Sequence, residues 1–299
     1  MNLPNHLAAL ISCVFLVGSL PGASAAQPPV PAKPAVPVFV MPVITAKAEA
    51  VLRRRANAGE AEAQLELGVL LLQRMLASKV PFDGHDDALH WFTLAEQNGS
   101  VPAKARLAFM IVWGNLPPGG RDYVRAHRLA EEGAAANDAL ALDMLSMMYY
   151  FGQGVAKDEG KAVSLEVRAA DAGSVKAQSS VANRYLRGDM LEKDSVKGEH
   201  YLVLAAKAGD LKSQTTLGSL YFGSTKWGIP KNSPKALYWL TAAANADYAD
   251  AQFLLGLVYC HGEDIVKPQV AKGKRLLRKA VAQGHKEAVE ALSQCGAKK

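Results

Sequence analysis

Cysteine is scarce in this chain: three among 299 residues. That is too few to hold a mini-protein together by disulfides. Long hydrophobic runs are also missing. The longest apolar stretch, Leu7 to Leu20, falls short of the roughly 20 residues that a spanning helix needs. Aromatics are 7% of residues, and no dense basic stripe is interleaved with them, which argues against a nucleic-acid partner. Lys and Arg number 34 against 28 Asp and Glu, a formal +6 that favours acidic partners without demanding them. Apolar residues at 49% and charged ones at 21% are ordinary globular usage, so wholesale disorder is excluded.

Residues 1–26 contain no Lys, Arg, Asp or Glu. The apolar run is followed by Pro21, Gly22 and Ala23-Ser24-Ala25, the pattern of a secretory signal cut after Ala25 or Ala26. Leu10-Ile11-Ser12-Cys13 resembles a lipobox, which would make Cys13 a lipid anchor, but the apolar stretch runs on past it. The expectation is therefore an exported, periplasmic chain with no stable membrane insertion once the signal is removed. Residues 27–42 hold six prolines, Pro28, Pro29, Pro31, Pro34, Pro37 and Pro42. Such density favours an extended polyproline spacer.

From Val43 onward the chain repeats itself. Gly59, Gly99, Asn137, Gly173, Gly209, Asp247 and Gly284 are spaced by 40, 38, 36, 36, 38 and 37 residues. Only Gly, Asn and Asp occur there, the types that tolerate a left-handed helix end. Four residues after each stands Ala63, Ala103, Ala141, Ala177, Ser213, Ala251 or Ala288; eleven before the last six stands Ala88, Ala126, Ala162, Gly198, Ala236 or Gly273. Each unit thus predicts a helix A beginning after the turn and a helix B leading to the next turn. Five residues beyond the small residue of helix A come Gly68, Ala108, Ser146, Ala182, Gly218 and Gly256, small again, where a neighbouring helix must approach closely. Helix B is expected to be capped by Asp122, Asp158, Asp194 and Asn232, and to bury Trp91, Leu129, Leu165, Tyr201, Trp239 or Leu276. A helix pair of this length cannot bury its apolar face alone, so the units must stack.

These residues resemble the Sel1-like repeat, a relative of the tetratricopeptide repeat. One unit carries nearly the whole pattern: Ala141, Leu145, Ser146, Tyr149, Gly152, Gly154, Val155, Asp158, Ala162, Ala169-Ala170 and Ala172-Gly173. The next departs at Met190, where the second loop glycine would stand, and at Gly198; the unit from Ser213 inserts Lys226-Trp227-Gly228 in its loop. The resemblance implies an all-α fold, a right-handed α-solenoid of about six helix-turn-helix repeats over residues 43–299. It also implies an adaptor role with no catalytic residues, no cofactor and no resident metal.

The sequence offers little catalytic chemistry. Asp83, His85, Asp86, Asp87 and His90 gather two imidazoles and three carboxylates. This is the one rival reading, a metal-dependent enzyme or metal-binding protein, although the spacing matches no familiar zinc loop. A polar helix start with acids at the positive dipole end explains the same residues. The basic run Lys272, Lys274, Arg275, Arg278, Lys279 reads as a solvated outer face, with an anionic membrane surface as the alternative. Cys260 and Cys295 fall on consecutive A helices and are expected to pair in an oxidising compartment.

By analogy with tetratricopeptide grooves, the inner A-helix positions form the expected protein-binding face: Trp113, Asp143, Met147, Tyr150, Phe151, Lys176, Asn183, Arg187, Lys212, Phe222, Phe253 and His261. Exposed aromatics beside Arg and Lys make up the composition of an interface. The expected partner is another protein with an acidic or mixed surface. The expected roles are an envelope scaffold or an immunity protein sequestering a toxic effector.

Overall fold

A computed structural model of the protein describes residues 45–77, 85–113, 122–223, 227–262 and 266–296. The signal region, Cys13 and the proline-rich spacer lie outside these residues. Fourteen α-helices and no strand occur among the described residues. They are α1 (Ala46–Asn57), α2 (Ala61–Ala77), α3 (His85–Gln97), α4 (Val101–Trp113), α5 (Tyr123–Ala135), α6 (Ala139–Phe151), α7 (Glu159–Asp171), α8 (Val175–Arg187), α9 (Ser195–Lys207), α10 (Leu211–Tyr221), α11 (Ser233–Asn245), α12 (Ala249–His261), α13 (Val270–Ala282) and α14 (Lys286–Gln294). They fall into two compact units that meet inside α8, residues up to Gln178 and residues from Ser179.

The turn between each helix B and the next helix A is built as its residues predict. Every one of the recurrent turn residues has positive φ, from 57° at Asn137 and Asp247 to 98° at Gly173. All four predicted caps accept from the backbone N–H three residues on: Asp122 from Arg125, Asp158 from Lys161 and Asp194 from Lys197 at 2.9 Å, and Asn232 from Lys235 at 3.0 Å. Each such cap is worth about 1 kcal/mol. The A–B hairpin closes through one further recurrent bond. The backbone N–H of Asp158, Asp194, Asn232 and Gln269 donates to the carbonyl of Tyr149, Tyr185, Tyr221 and Tyr259, at 2.7–2.9 Å.

Within a hairpin, the small residue of helix A receives a large one from helix B. A Cβ at Gly68 would lie 2.7 Å from the Phe92 ring, and one at Gly256 would lie 2.9 Å from Leu277 Cγ; at Gly218 it would overlap Leu240. Ser146 instead uses its hydroxyl, donating to the Ala162 carbonyl at 2.8 Å. In α8–α9 the fit is reversed, with Leu186 filling the space over Gly198. Phe92, Leu240 and Leu277 are therefore essentially inaccessible, whereas Trp91, Trp239 and Leu276 one position earlier are only half-buried. The expected burial of Leu129, Leu165 and Tyr201 holds.

The seam between a helix B and the following helix A carries a buried glutamine absent from the expected pattern. The amides of Gln64, Gln178, Gln214 and Gln252 donate to the carbonyls of Ala56, Ala170, Ala206 and Ala244, at 3.0–3.3 Å. Each of these carbonyls already accepts from the backbone N–H of the turn residue, so the glutamine fills its second acceptor site. The Oε1 of Gln64 in turn accepts from Asn98, and that of Gln252 from Gln283, both at 2.9 Å. These donors stand just before the following turn. At the same place after Gln214 stands Ala246, and Gln214 Oε1 is buried without a partner. Ala246→Gln is therefore expected to raise thermal stability by about 0.5–1.5 kcal/mol, measured by circular dichroism melting, while Ala58→Gln, at the equivalent place before the first turn and with no earlier seam glutamine among the described residues, leaves it unmoved.

Candidate protein-binding faces

Helix A is enclosed on nearly all sides, and this decides which expected contact residues remain at the surface. In α10 every residue from Ser213 to Tyr221 is buried, and in α12 every residue from Ala251 to Val258. α12 is apolar around most of its circumference and so packs on all faces, whereas in α10 the buried Thr215 and Thr216 hydroxyls donate back to the Leu211 and Lys212 carbonyls.

In the first unit the structure brings three of the expected residues together. Lys176 Nζ lies 3.0 Å from Asp143 Oδ2 and 3.3 Å from Met147 Sδ. Burial pushes the Asp143 carboxyl above the usual carboxylate range, and the Lys176 ammonium only partly offsets this. Asp143 is thus an internal ion-pair partner and not a free contact residue, which corrects the expectation. Beyond this pair the end of α6 carries Tyr150 and Phe151, packed edge to face at 5.1 Å, with Lys157 Nζ 5.8 Å over the Tyr150 ring. Phe151 is 44% exposed. Trp113, at the end of α4, is half-buried with its indole N–H unpartnered.

A carboxyl whose folded-state value is raised binds its proton more tightly when folded. Its ionisation therefore costs stability, and the cost is fully present above the folded value and absent below the unfolded one. Asp143→Asn is accordingly expected to raise the melting temperature at pH 7 by a small amount. The gain should shrink as pH falls through the carboxylate range, which paired melts at neutral and acidic pH measure.

In the second unit the expected surface contracts. Phe222 caps α10 in a buried position, and Phe253 is 3% exposed, stacked on the His285 imidazole at 4.4 Å. Both are core residues, a second correction with the same cause. Asn183 folds back on its own helix, donating to the Ser179 carbonyl at 2.8 Å. Arg187, Lys212 and His261 are exposed. Cys260 and Cys295 are joined by a disulfide with Cα atoms 5.2 Å apart. Its Cys260 sulfur occupies the space over Gly273.

Of the acidic and histidine cluster, Asp83 lies outside the described residues. Asp86 and Asp87 stand exposed in the first turn of α3, and His90 packs edge-on against Trp91 at 5.2 Å. Among the described residues no three His, Cys, Asp or Glu side chains converge as a metal site would require.

One recurrent set of side-chain pairs escaped the sequence reading. In four A helices the Tyr eight residues beyond the small residue lies under a Lys of the following helix B: Lys161 over Tyr149 at 4.1 Å, Lys197 over Tyr185 at 5.3 Å, Lys235 over Tyr221 at 5.1 Å and Lys272 over Tyr259 at 3.9 Å. The signal was present, since each Lys directly precedes the small residue of helix B.

Six Sel1 repeats match consecutive stretches, residues 61–100, 101–138, 139–174, 175–210, 211–248 and 249–285. Each begins at a helix A and ends at the turn after helix B. The chain belongs to the Sel1 repeat family. Its fold is accordingly an all-α solenoid of six Sel1 repeats, flanked by α1 and α14. Such repeats form a protein-interaction fold and are generally non-enzymatic scaffolds. Among solved structures, a Sel1 repeat protein from Oxalobacter formigenes is 25% identical with a TM-score of 0.63, over 79% of this chain and 94% of that one. A protective antigen of uropathogenic Escherichia coli is 24% identical, with a TM-score of 0.46 over 83% of this chain and 60% of the other. An immunity protein from Pseudomonas aeruginosa is 19% identical, with a TM-score of 0.43 over 81% and 84%. No curated protein sequence matches the chain. Within the Sel1 repeats, Met190 takes the backbone conformation of the loop glycine it replaces, with φ 57° against 71° at Gly154. No helix among the described residues is long and apolar enough to cross a membrane.

Proposed function

We propose that this Sel1 repeat protein is a non-enzymatic binding module for another protein, exported to the bacterial envelope by its N-terminal segment. The observation that carries the binding reading is the end of α6. There an exposed Phe151 ring is held edge-on by Tyr150, with Lys157 beside it. An aromatic anchor that stays in water and is fixed by its neighbours loses little freedom on binding, which is the property of an interface hot spot. Lys157 over the Tyr150 ring favours a partner segment of acidic or mixed charge. The uncharged first 26 residues and the small-residue triplet near their end support export.

The test compares wild type with Tyr150→Ala/Phe151→Ala in affinity purification from the native envelope, followed by mass spectrometry. A protein recovered by wild type and lost with the variant, at unchanged helical circular dichroism, supports the reading. An identical set of recovered proteins with both baits overturns it. The same experiment separates the two roles by stoichiometry. An immunity protein captures one effector at 1:1, and a scaffold captures several resident proteins.

A further inference from the structure

The excess positive charge of this protein is confined to one unit. Before Ser179 sixteen Lys and Arg stand against seventeen Asp and Glu; from Ser179 onward eighteen stand against eleven. Two B helices of that second unit, α11 and α13, contain no carboxylate at all. In α13 the buried residues Gly273, Leu277 and Ala280 form one stripe. Away from it point Lys272, Arg275, Arg278 and Lys279, all exposed, with Lys274 at the margin. In α11 Lys235 and Tyr238 occupy the same repeat positions as Lys272 and Arg275, one before and two after the small residue. Tyr238 is 65% exposed. Lys235 and Lys272 are held over Tyr221 and Tyr259, and Lys279 bonds Asp247 at 2.9 Å. No described carboxylate pairs with Lys274, Arg275 or Arg278.

We propose that this face of α11 and α13 docks on the anionic headgroups of a lipid bilayer. Lysine is depleted from protein–protein interfaces, and here it supplies most of the charge. A cluster of four to eight Lys and Arg on one helix surface is the composition that anionic lipids attract. An exposed tyrosine ring, Tyr238 at the repeat position that Arg275 holds in α13, matches the polar–apolar boundary of a membrane. The contact is peripheral, since the basic face carries no apolar stripe long enough to enter the bilayer. It is separate from the protein-binding end of α6 and does not depend on it.

The experiment is cosedimentation of the whole protein with sucrose-loaded vesicles of phosphatidylcholine containing phosphatidylglycerol, and with phosphatidylcholine alone. The expected result is binding to the anionic vesicles only, weakening as salt is raised. At about 1 kcal/mol per basic residue near the surface, Arg275→Glu/Arg278→Glu is expected to lose at least about tenfold in affinity. Arg125→Glu/Arg128→Glu makes the same change of net charge on the first unit, with Arg125 and Arg128 also lying one before and two after their small residue. It should bind like wild type. Both variants lie on exposed positions, and their melting curves verify that they fold. Absence of binding to anionic vesicles at low salt overturns the proposal, as does an equal loss in both variants. Binding to poly-glutamate without binding to vesicles also overturns it, and assigns the face to an acidic protein segment instead.

Discussion

Gly218→Val is expected to destabilise the second unit by about 3 kcal/mol, toward the upper end of overpacking costs, and to lower its melting temperature by about 12 °C. The hydrogen of Gly218 faces Leu240, a side chain that is 1% exposed and so has nowhere to move. A Cβ there overlaps the Leu240 side chain, and the Ala236 carbonyl at 3.3 Å closes the other exit. Relief must then come from parting α10 and α11, which weakens the whole hairpin. A second substitution tests the mechanism. Leu240→Ala alone opens a cavity and costs about 2–5 kcal/mol, but combined with Gly218→Val it returns volume to the same place. The double variant should therefore be more stable than the sum of the two losses predicts, by about 0.5–3 kcal/mol. Strict additivity in urea melts followed at 222 nm would show that the two residues do not share one packing site.

Reduction of the Cys260–Cys295 disulfide is expected to release the C-terminal helix first. The bridge closes a loop with a sequence separation of 35, which in the chain-entropy account is worth about 3–4 kcal/mol. Helix α14 is short, nine residues, and buries only Ala288 and Ala291. Little else opposes its fraying except the His285 stack on Phe253 and the contacts of His285 with Asp250 and Glu287 at 3.5 and 3.3 Å. In a stack of repeats each unit is stabilised by its neighbours, so loss of the terminal helix exposes the flank of α12 and lowers the melting of the next hairpin. Hydrogen exchange with and without reductant should show protection lost in 286–295 and then in 249–261, with 211–221 changed least. Uniform loss across the second unit would refute a local staple. Cys295→Ser should reproduce the reduced state and become insensitive to reductant.

Much of this molecule is legible from spacing. The turn residues, the caps of helix B and the small residues where helices touch each follow from a local requirement: a positive φ, an orphan backbone N–H, or room for a neighbour. Such requirements repeat with the unit, so six copies reinforce one another in a single chain. The expected binding face was less legible. Whether Asp143, Phe222 or Phe253 faces water depends on what packs against helix A from the side, and periodicity cannot report that. Phe151 and Phe222 both stand near the end of an A helix, yet the first is half in water and the second is enclosed.

The order of helices, the turns, the caps and the small positions where helices touch were thus determined by sequence alone, because each rests on residues within one repeat of one another. Only the tertiary structure decided which polar groups were left without a partner, as at Gln214, and which charges were drawn inside, as at Asp143. Burial is a property of everything that surrounds a side chain. A repeat pattern specifies the nearest of those neighbours and leaves the remainder to the assembled fold.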